Sequence, residues 1–283
     1  MSKTVVKGKE REVLIGPEAP FCVIGERINP TGNKRLREGL ERGDLGILRA
    51  EAERQIKSGA KIIDVNVGVS GLDEPSLLRD AIQLIQGFFD VPLSIDSANV
   101  KALEAGLEVY EGRCLINSVN GEERKLKEVL ALSRDYGASV IGLTMDEKGI
   151  PAEPEGRLLI AEKILEEATK IGIRIEDVII DPIAMSLASD HRSAIVTLKT
   201  IESIRSRFDV NIVVGASNIS YGLPERPLIN SIFLGVAIYA GLTCALLDPT
   251  RSEIQKAISI GNMLMGKDEY CLGYINLYRS LNP

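Results

Sequence analysis

Eight short apolar runs punctuate the chain, and nearly every one stops on a carboxylate, an amide or a hydroxyl. They begin near residues 21, 61, 92, 114, 139, 177, 211 and 244 and read FCVIGER, KIIDVNV, PLSIDS, CLINSVN, SVIGLTM, DVIIDPI, NIVVGAS and CALLDPT. Each is continuous rather than alternating, the pattern of a strand covered on both faces. One such run ending in Asp or Asn is ordinary. A series of them, as in Ile62-Ile63-Asp64-Val65-Asn66, Leu93-Ser94-Ile95-Asp96 and Ile179-Ile180-Asp181-Pro182, predicts strands whose polar ends converge on one mouth.

The segments between the runs carry helical spacing. Leu77, Leu78, Ala81, Ile82, Leu84 and Ile85 form one apolar face, with Pro75 suited to a first helical turn. Leu126, Val129 and Leu130 form another, Ile160, Ile164 and Leu165 a third, and Ile254, Ala257, Ile258 and Leu264 a fourth. Strand then helix, eight times at intervals of roughly 22 to 40 residues, predicts an α/β fold of the closed (β/α)8 TIM-barrel type in a single domain. The rival is an open doubly wound sheet. It calls for a Gly-rich phosphate loop after its first strand, where this chain has Gly25-Glu26-Arg27-Ile28-Asn29. Residues 1–20 are polar apart from Val13-Leu14-Ile15 and read as an arm or short hairpin leaning on the first strand, so the barrel is expected over 21–283.

Composition narrows the classes of function. A hydrophobic fraction of 45% and a charged fraction of 26% are those of a folded globular chain. No apolar stretch approaches the roughly 18 residues of a membrane span, and no signal-peptide core follows Met1-Ser2-Lys3-Thr4, so a cytoplasmic protein with no membrane partner is expected. Cys22, Cys114, Cys244 and Cys271 are scattered without a Cys-x-x-Cys pair and read as reduced, the first three in strands. A net charge of −6 and a pI near 5.2 leave no basic stripe for nucleic acid.

In a barrel of this kind the site lies at the carboxyl ends of the strands. Glu26, Asp64, Asn66, Asp96, Asn117, Asp181, Asn218 and Asp248 would ring that mouth. Carboxylates gathered out of water repel one another and need donors or a cation nearby, for which Arg27, Arg226 and a donor-rich ligand are the candidates. For any single residue the bland alternative is helix capping, above all for Ser97 and Asn99. For the set, a heterocycle with a guanidine-like edge accounts for paired Asp and Asn, because one carboxylate accepts two parallel N–H bonds. Magnesium or calcium is the competing explanation for an acidic mouth. His191, the one histidine, reads as a surface or capping residue, which leaves a zinc site almost no ligands.

These residues also carry a resemblance. Ile24-Gly25-Glu26-Arg27-Ile28-Asn29, Asp64-Val65-Asn66-Val67-Gly68, Asp96-Ser97, Ile116-Asn117-Ser118, Ile141-Gly142-Leu143-Thr144-Met145, Ile180-Asp181-Pro182, Ser217-Asn218-Ile219-Ser220 and Arg226-Pro227-Leu228-Ile229-Asn230 are similar, in order, to the pterin-binding methyltransferases. More narrowly the chain resembles the methyltetrahydrofolate:corrinoid protein methyltransferases and the folate module of cobalamin-dependent methionine synthase. The resemblance implies a barrel, commonly a homodimer, that binds the pterin of methyltetrahydrofolate in its mouth. It also implies a separate corrinoid protein, carrying cobalamin or another corrinoid, as partner. Carried over by position, Asp96, Asn117 and Asp181 would hydrogen-bond the pterin, with Asp64, Asn66 and Glu26 in or behind that shell. Asn218 matches the catalytic asparagine placed near N5, and Arg226 an arginine near the folate. Tyr221 departs from the pattern, standing where the acetogen enzymes usually have glutamine.

The chemistry such a site must perform is demanding. A methyl on a tertiary amine leaves only if its nitrogen gains a proton, and asparagine can stabilise that state without supplying the proton. No Asp-x-His-x-x-Gly corrinoid-binding pattern occurs in the chain, so the cobalt is expected from the partner. Two alternatives stand beside this reading: a non-catalytic folate-binding protein, and a dihydropteroate synthase-like enzyme. The latter's Asn-Val-Thr-Pro-Asp-Ser-Phe-Ser pattern is replaced here by Ile28-Asn29-Pro30-Thr31-Gly32.

Overall fold

The computed structural model describes residues 2–282; Met1 and Pro283, the outermost residues of the expected arm and barrel, lie outside the described residues. Two short strands, β1 (Thr4–Lys7) and β2 (Glu12–Ile15), pair as an antiparallel hairpin. Eight more run parallel and close on themselves: β3 (Cys22–Ile28), β4 (Ile62–Val65), β5 (Leu93–Asp96), β6 (Leu115–Asn120), β7 (Ser139–Leu143), β8 (Val178–Asp181), β9 (Asn211–Gly215) and β10 (Cys244–Leu247), with β10 pairing to β3. This is the TIM barrel that the spacing of the apolar runs predicts. Cys22 and Cys244 lie in strands, whereas Cys114 falls one residue before β6, and all four cysteines are free thiols.

Helices cover the outside: α1 (Lys34–Glu41), α2 (Gly46–Lys57), α3 (Glu74–Phe88), α4 (Val100–Val109), α5 (Glu123–Asp135), α6 (Pro154–Lys170), α7 (Ser193–Arg207), α8 (Arg226–Ala240), α9 (Ser252–Leu264) and α10 (Leu272–Leu281). The four apolar faces read from the sequence fall in α3, α5, α6 and α9 and bury Leu78, Ile82 and Ile85, then Leu126, Val129 and Leu130, then Ile160, Ile164 and Leu165, and Ile254. Pro75 occupies the first turn of α3. Full burial of each Leu or Ile contributes about 1.5–3 kcal/mol.

Alternation along each strand divides the apolar residues into two cores. Residues facing out, such as Ile63, Leu93, Ile95, Ile116, Ile180 and Ile212, pack against the helices. Residues facing in, including Cys22, Ile24, Ile62, Leu115, Ile141, Ile179 and Val213, fill the lower barrel together with Val6, Val13 and Ile15 of the hairpin. The short hairpin read from the sequence is present, and its apolar residues share a core with Cys22 and Ile24 of the first barrel strand and with residues of several others. It lies across the amino ends of several strands, where the apolar lower layer would otherwise meet water. Asn211 Nδ2 at the start of β9 donates to Thr4 Oγ1 (2.8 Å) and to the Ile15 carbonyl (3.0 Å). The Lys7 and Arg113 backbones exchange N–H···O bonds of 2.7 and 2.8 Å.

One irregularity serves the upper end. The register of β3 against β4 shifts between Gly25 and Ile28, so β3 carries an extra residue around Glu26 and Arg27. The freed Arg27 N–H donates to Gln55 Oε1 of α2 (2.9 Å), a side chain with no exposed surface. Gln55 can sit there only because residue 25 is glycine: a Cβ on Gly25 would lie 2.4 Å from Gln55 Oε1. Gly25→Ala should therefore displace a buried acceptor and leave the Arg27 N–H unpaired. A destabilisation of about 1–3 kcal/mol is expected, read as a lower midpoint in urea unfolding. An unchanged midpoint would show that Gln55 moves freely.

Candidate active site

The same alternation that fills the lower barrel brings polar residues into the upper one. Ile62 and Asp64 share a face, as do Ser94 and Asp96, Leu115 and Asn117, and Ile179 and Asp181. Pairing holds these residues at matching heights, Asp64 beside Ser94, Asp96 beside Asn117 and Asp181 beside Leu143. The barrel axis is thus apolar below and acidic above.

Two carboxyl–amide pairs bind this acidic layer together. Asn117 Nδ2 donates to Asp64 Oδ1 and Asn66 Nδ2 donates to Asp96 Oδ2, each at 3.1 Å. Asn66 is itself oriented by the Gly68 N–H, which donates to its Oδ1 (2.9 Å). Asp64 is buried, and burial together with the neighbouring Asp96 carboxylate holds its pKa well above the ordinary value. Burial likewise pushes Asp96 up to about 6, against the pull of hydrogen bonds from Asn66 and Asp64. Lys125 and Glu74 act on Asp96 from outside with opposite signs.

Asp181 is built differently. Burial raises it to about 7, opposed by the Ile183 N–H and the Arg157 guanidinium. Its Oδ1 accepts from the Ile183 N–H (2.7 Å), which requires Ile183 to adopt φ of 60°, a left-handed conformation that a β-branched side chain disfavours. Arg157 restrains that turn. Its Nη1 donates to the Pro182 (2.8 Å) and Ile183 (2.7 Å) carbonyls, its Nε donates to the Pro151 carbonyl (2.9 Å), and Thr197 Oγ1 adds a bond to the Ile183 carbonyl (3.2 Å).

Arg157 is the residue that sequence reasoning missed. It lies on the buried stripe of α6 with Ile160, Ala161, Ile164 and Ala168, and a charge on an apolar stripe is the signal that marks it. The cations expected to offset the carboxylates stand elsewhere. Arg27 Nε is 3.7 Å from Glu51 and 3.8 Å from Asp248. Arg226 Nη2 donates to the Ser217 carbonyl (2.8 Å) and its Nε to Ser220 Oγ (3.1 Å), and it acts on Glu26 only through space. Glu26, raised by burial, accepts from Ser217 Oγ (2.6 Å).

Asn218 and Tyr221 stand at the rim. A five-residue 3-10 turn, Ala216–Ser220, follows β9 and exposes Asn218, whose side-chain amide bonds to none of the described residues. The amide lies over Gly215, where a Cβ would come within 2.9 Å of Asn218 Nδ2. Tyr221 is 70% exposed, with the Arg226 guanidinium 5.6 Å from its ring centre.

One expected mouth residue, Asp248, has other work, and Ser97 and Asn99 serve the helix start that was their alternative reading. Asp248 turns into its own loop, accepting from the Thr250 N–H (3.0 Å) and Oγ1 (2.6 Å). Asn99 caps α4 by accepting from the Lys101 N–H (3.1 Å), and Ser97 accepts from the Asn99 N–H (2.9 Å) while donating to Glu74. His191 is a surface residue, its side chain 92% exposed. Among the described residues no three His, Cys, Asp or Glu side chains form a group that could hold a metal ion.

Comparison with known proteins gives the family. A family model described as pterin binding enzyme matches residues 25–248. The chain is 32% identical over 262 residues to the methylcorrinoid:tetrahydrofolate methyltransferase of Eubacterium limosum, covering 92% of this chain and 96% of that protein. It is 32% identical over 247 residues to the methionine synthase of Mycobacterium tuberculosis, 83% of this chain but only 21% of that longer protein. Among solved structures it superposes on a dihydropteroate synthase from Coxiella burnetii in complex with pteroic acid, with a TM-score of 0.71 at 16% identity over 93% of this chain and 98% of that one. The Yersinia pestis dihydropteroate synthase gives 0.66 at 18% identity over 93% and 99%. At those identities the likeness shows the fold alone.

Raised carboxyls have a stability consequence. An unfolded Asp loses its proton near pH 3.9, whereas folded Asp181 keeps it to about 7. Between those values the folded chain binds more protons than the unfolded one, so this group's contribution to stability falls as pH rises. Asp181→Asn removes the ionisation, and its melting temperature minus that of the wild type should rise by several degrees between pH 5 and 8. A difference independent of pH would mean that Asp181 is not held neutral by burial.

Proposed function

This chain belongs to the pterin binding enzymes, and from that premise we propose that it is a methyltransferase moving a methyl group between N5 of methyltetrahydrofolate and the cobalt of a separate corrinoid protein. The observation that carries the reading is an Asp96–Asn117–Asp181 cradle beneath the uncommitted Asn218 amide, in a chain 32% identical along nearly its whole length to a methylcorrinoid:tetrahydrofolate methyltransferase. The dihydropteroate synthases share the barrel at 16–18% identity, whereas the sequence relatives named above are methyltransferases or contain such a module.

The residues divide the work. Asp96 and Asp181 accept from the N–H groups along the pterin edge, a donor array that favours their ionised forms and supplies the compensation their burial lacks. Asn117, tethered to Asp64, keeps a second N–H for the ring. Asn66 and Asp64 orient Asp96 and Asn117 from behind. Glu26 holds the Ser217 turn that carries Asn218. Tyr221 and Arg226 flank the exit, where the aminobenzoyl arm of a folate would pass between an aromatic ring and a guanidinium.

Asn218 acts at the reacting nitrogen. N5 must be protonated for the methyl to depart, because an amide-like anion is too poor a leaving group. Asn218 holds no titratable proton, so the proton comes from solvent, and the amide hydrogen bond strengthens as charge develops at N5. A docked corrinoid supplies the cobalt that takes or gives the methyl. The partner would dock over the rim, where Asn218 is exposed, and holding the two reactants in line contributes much of the rate. The same site serves both directions, since a catalyst lowers one barrier seen from either side. A low-potential cobalt nucleophile fits the reducing cytoplasm expected for a chain with four free cysteines.

For the expected homodimer we propose a surface on α8 and α9. Leu228, Ile232, Val236 and Tyr239 repeat along the outer face of α8, and with Leu264 of α9 and Met265 just after it they border a cleft of about 560 Å3. Glu253 and Lys256 stand in the same cleft, so a two-fold axis can place each opposite the other in a second copy. Ile232→Glu should convert a dimer into a monomer in light scattering. A wild-type monomer, or a variant that stays dimeric, would place the contact elsewhere.

The catalytic proposal is tested with methyltetrahydrofolate and free cob(I)alamin, following the cobalt spectrum. Methylcobalamin should accumulate with enzyme, whereas folate binding without any turnover would leave a non-catalytic binding protein. Asn218→Ala should lower kcat by about 10²–10³-fold, the range for one donor lost at a developing charge, with a much smaller change in folate dissociation constant. Equal losses in both would assign Asn218 to binding alone.

A further inference from the structure

Beside the mouth the chain builds a second polar recess. It lies between the end of β3 and the helices α1 and α2, has a volume of about 300 Å3, and is lined by three arginines, Arg27, Arg35 and Arg54, with Asn33 and Glu51. Arg54 Nη2 meets Glu51 Oε1 at 2.7 Å. The other two guanidiniums are less well served. Arg27 Nε is buried without a hydrogen-bond partner, and its carboxylate neighbours Glu51 and Asp248 stand off at 3.7 and 3.8 Å. Asp248 is also drawn toward Arg251, at 3.4 Å. Arg35 is exposed and forms no ion pair among the described residues.

The recess therefore holds more guanidinium than carboxylate, and it contains a buried donor that lacks an acceptor. A ligand with several carboxylate oxygens supplies both deficits, since planar guanidinium and carboxylate groups match in a fork. Its position says which ligand. Arg27 directly follows Glu26, which is bonded to the Ser217 turn at the rim, so the recess lies at the mouth end of the barrel, the end from which a molecule anchored at Asp96 and Asp181 would leave.

We propose that this recess receives the carboxylates of a poly-γ-glutamyl tail on the folate substrate, with Arg27 and Arg35 as its principal contacts. The inference rests on the folate reading above and deepens it: the preferred substrate is a polyglutamate. A single terminal glutamate offers two carboxylates, and each further residue adds one for the cationic recess.

Calorimetric titration of methyltetrahydrofolate with one and with three glutamyl residues, at one ionic strength, tests it. The wild type should bind the triglutamate tighter by on the order of tenfold, the worth of one charge-assisted pair. Arg35→Gln should reduce that ratio several-fold and Arg35→Lys should restore part of it. Lys34→Gln removes the same charge from an adjacent exposed residue outside the recess and should leave the ratio intact. Equal affinities in the wild type would overturn the inference, as would a ratio that survives Arg35→Gln or falls equally with Lys34→Gln. Absence of any monoglutamate binding would instead overturn the folate reading itself, and this inference with it.

Discussion

Carboxylates buried at the ends of parallel strands are the constraint on which the upper half of this protein depends. Asp64, Asp96 and Asp181 face the barrel axis because they share strand parity with the buried residues Ile62, Ser94 and Ile179 below them. That position removes water, and removal of water disfavours their charge. The chain answers with amides rather than with cations at the axis. Asn66 and Asn117 each give one N–H to a carboxyl and remain neutral, so the layer stays short of donors. A pterin edge is a row of N–H groups and is suited to that shortage.

The supporting structure follows from the same need. Asp181 is held by a turn that a β-branched residue adopts at a cost, and Arg157 secures the turn by taking two of its carbonyls. The β3 bulge re-aims Glu26 and Arg27 while Gln55 satisfies the backbone donor it frees. Below, the hairpin β1–β2 seals the apolar layer. Rigid support under the carboxyl layer and an exposed asparagine at the rim suit the proposed reaction, in which the ring would be held from beneath and its reacting nitrogen left open to a second protein.

Fold likeness and sequence likeness inform different levels here. The dihydropteroate synthases superpose well at 16–18% identity, which speaks for the barrel. The methyltransferase likeness at 32% spans 92% of the chain and includes the segment bearing Asn218 and Arg226. A shared barrel with a pterin pocket hosts more than one reaction, and the chemistry is set by what stands at the rim. In this chain the rim carries an amide, a tyrosine and arginines, a set suited to contacting a nitrogen, an arm and a tail rather than to cutting a bond by itself.

The sequence by itself determined the barrel and the polar strand ends, Asp64, Asp96, Asn117 and Asp181 among them, that gather at its mouth. Both follow from continuous apolar runs and from the 3.6-residue spacing between them, signals that are local to each segment. Only the tertiary structure decided which partner each polar group meets. Asp248 and Asp181 look alike as strand endings, yet one closes its own turn with Thr250 while the other is steered by Arg157 from a helix 24 residues earlier in the chain. Arg27, read as a counter-charge for the mouth, was carried by a bulge toward α1 and α2. The hairpin's place beneath the barrel was equally hidden, because Val6, Val13 and Ile15 find their neighbours only once eight distant segments have closed into a ring. Contacts between segments far apart in the chain depend on that closure, and no local period encodes them.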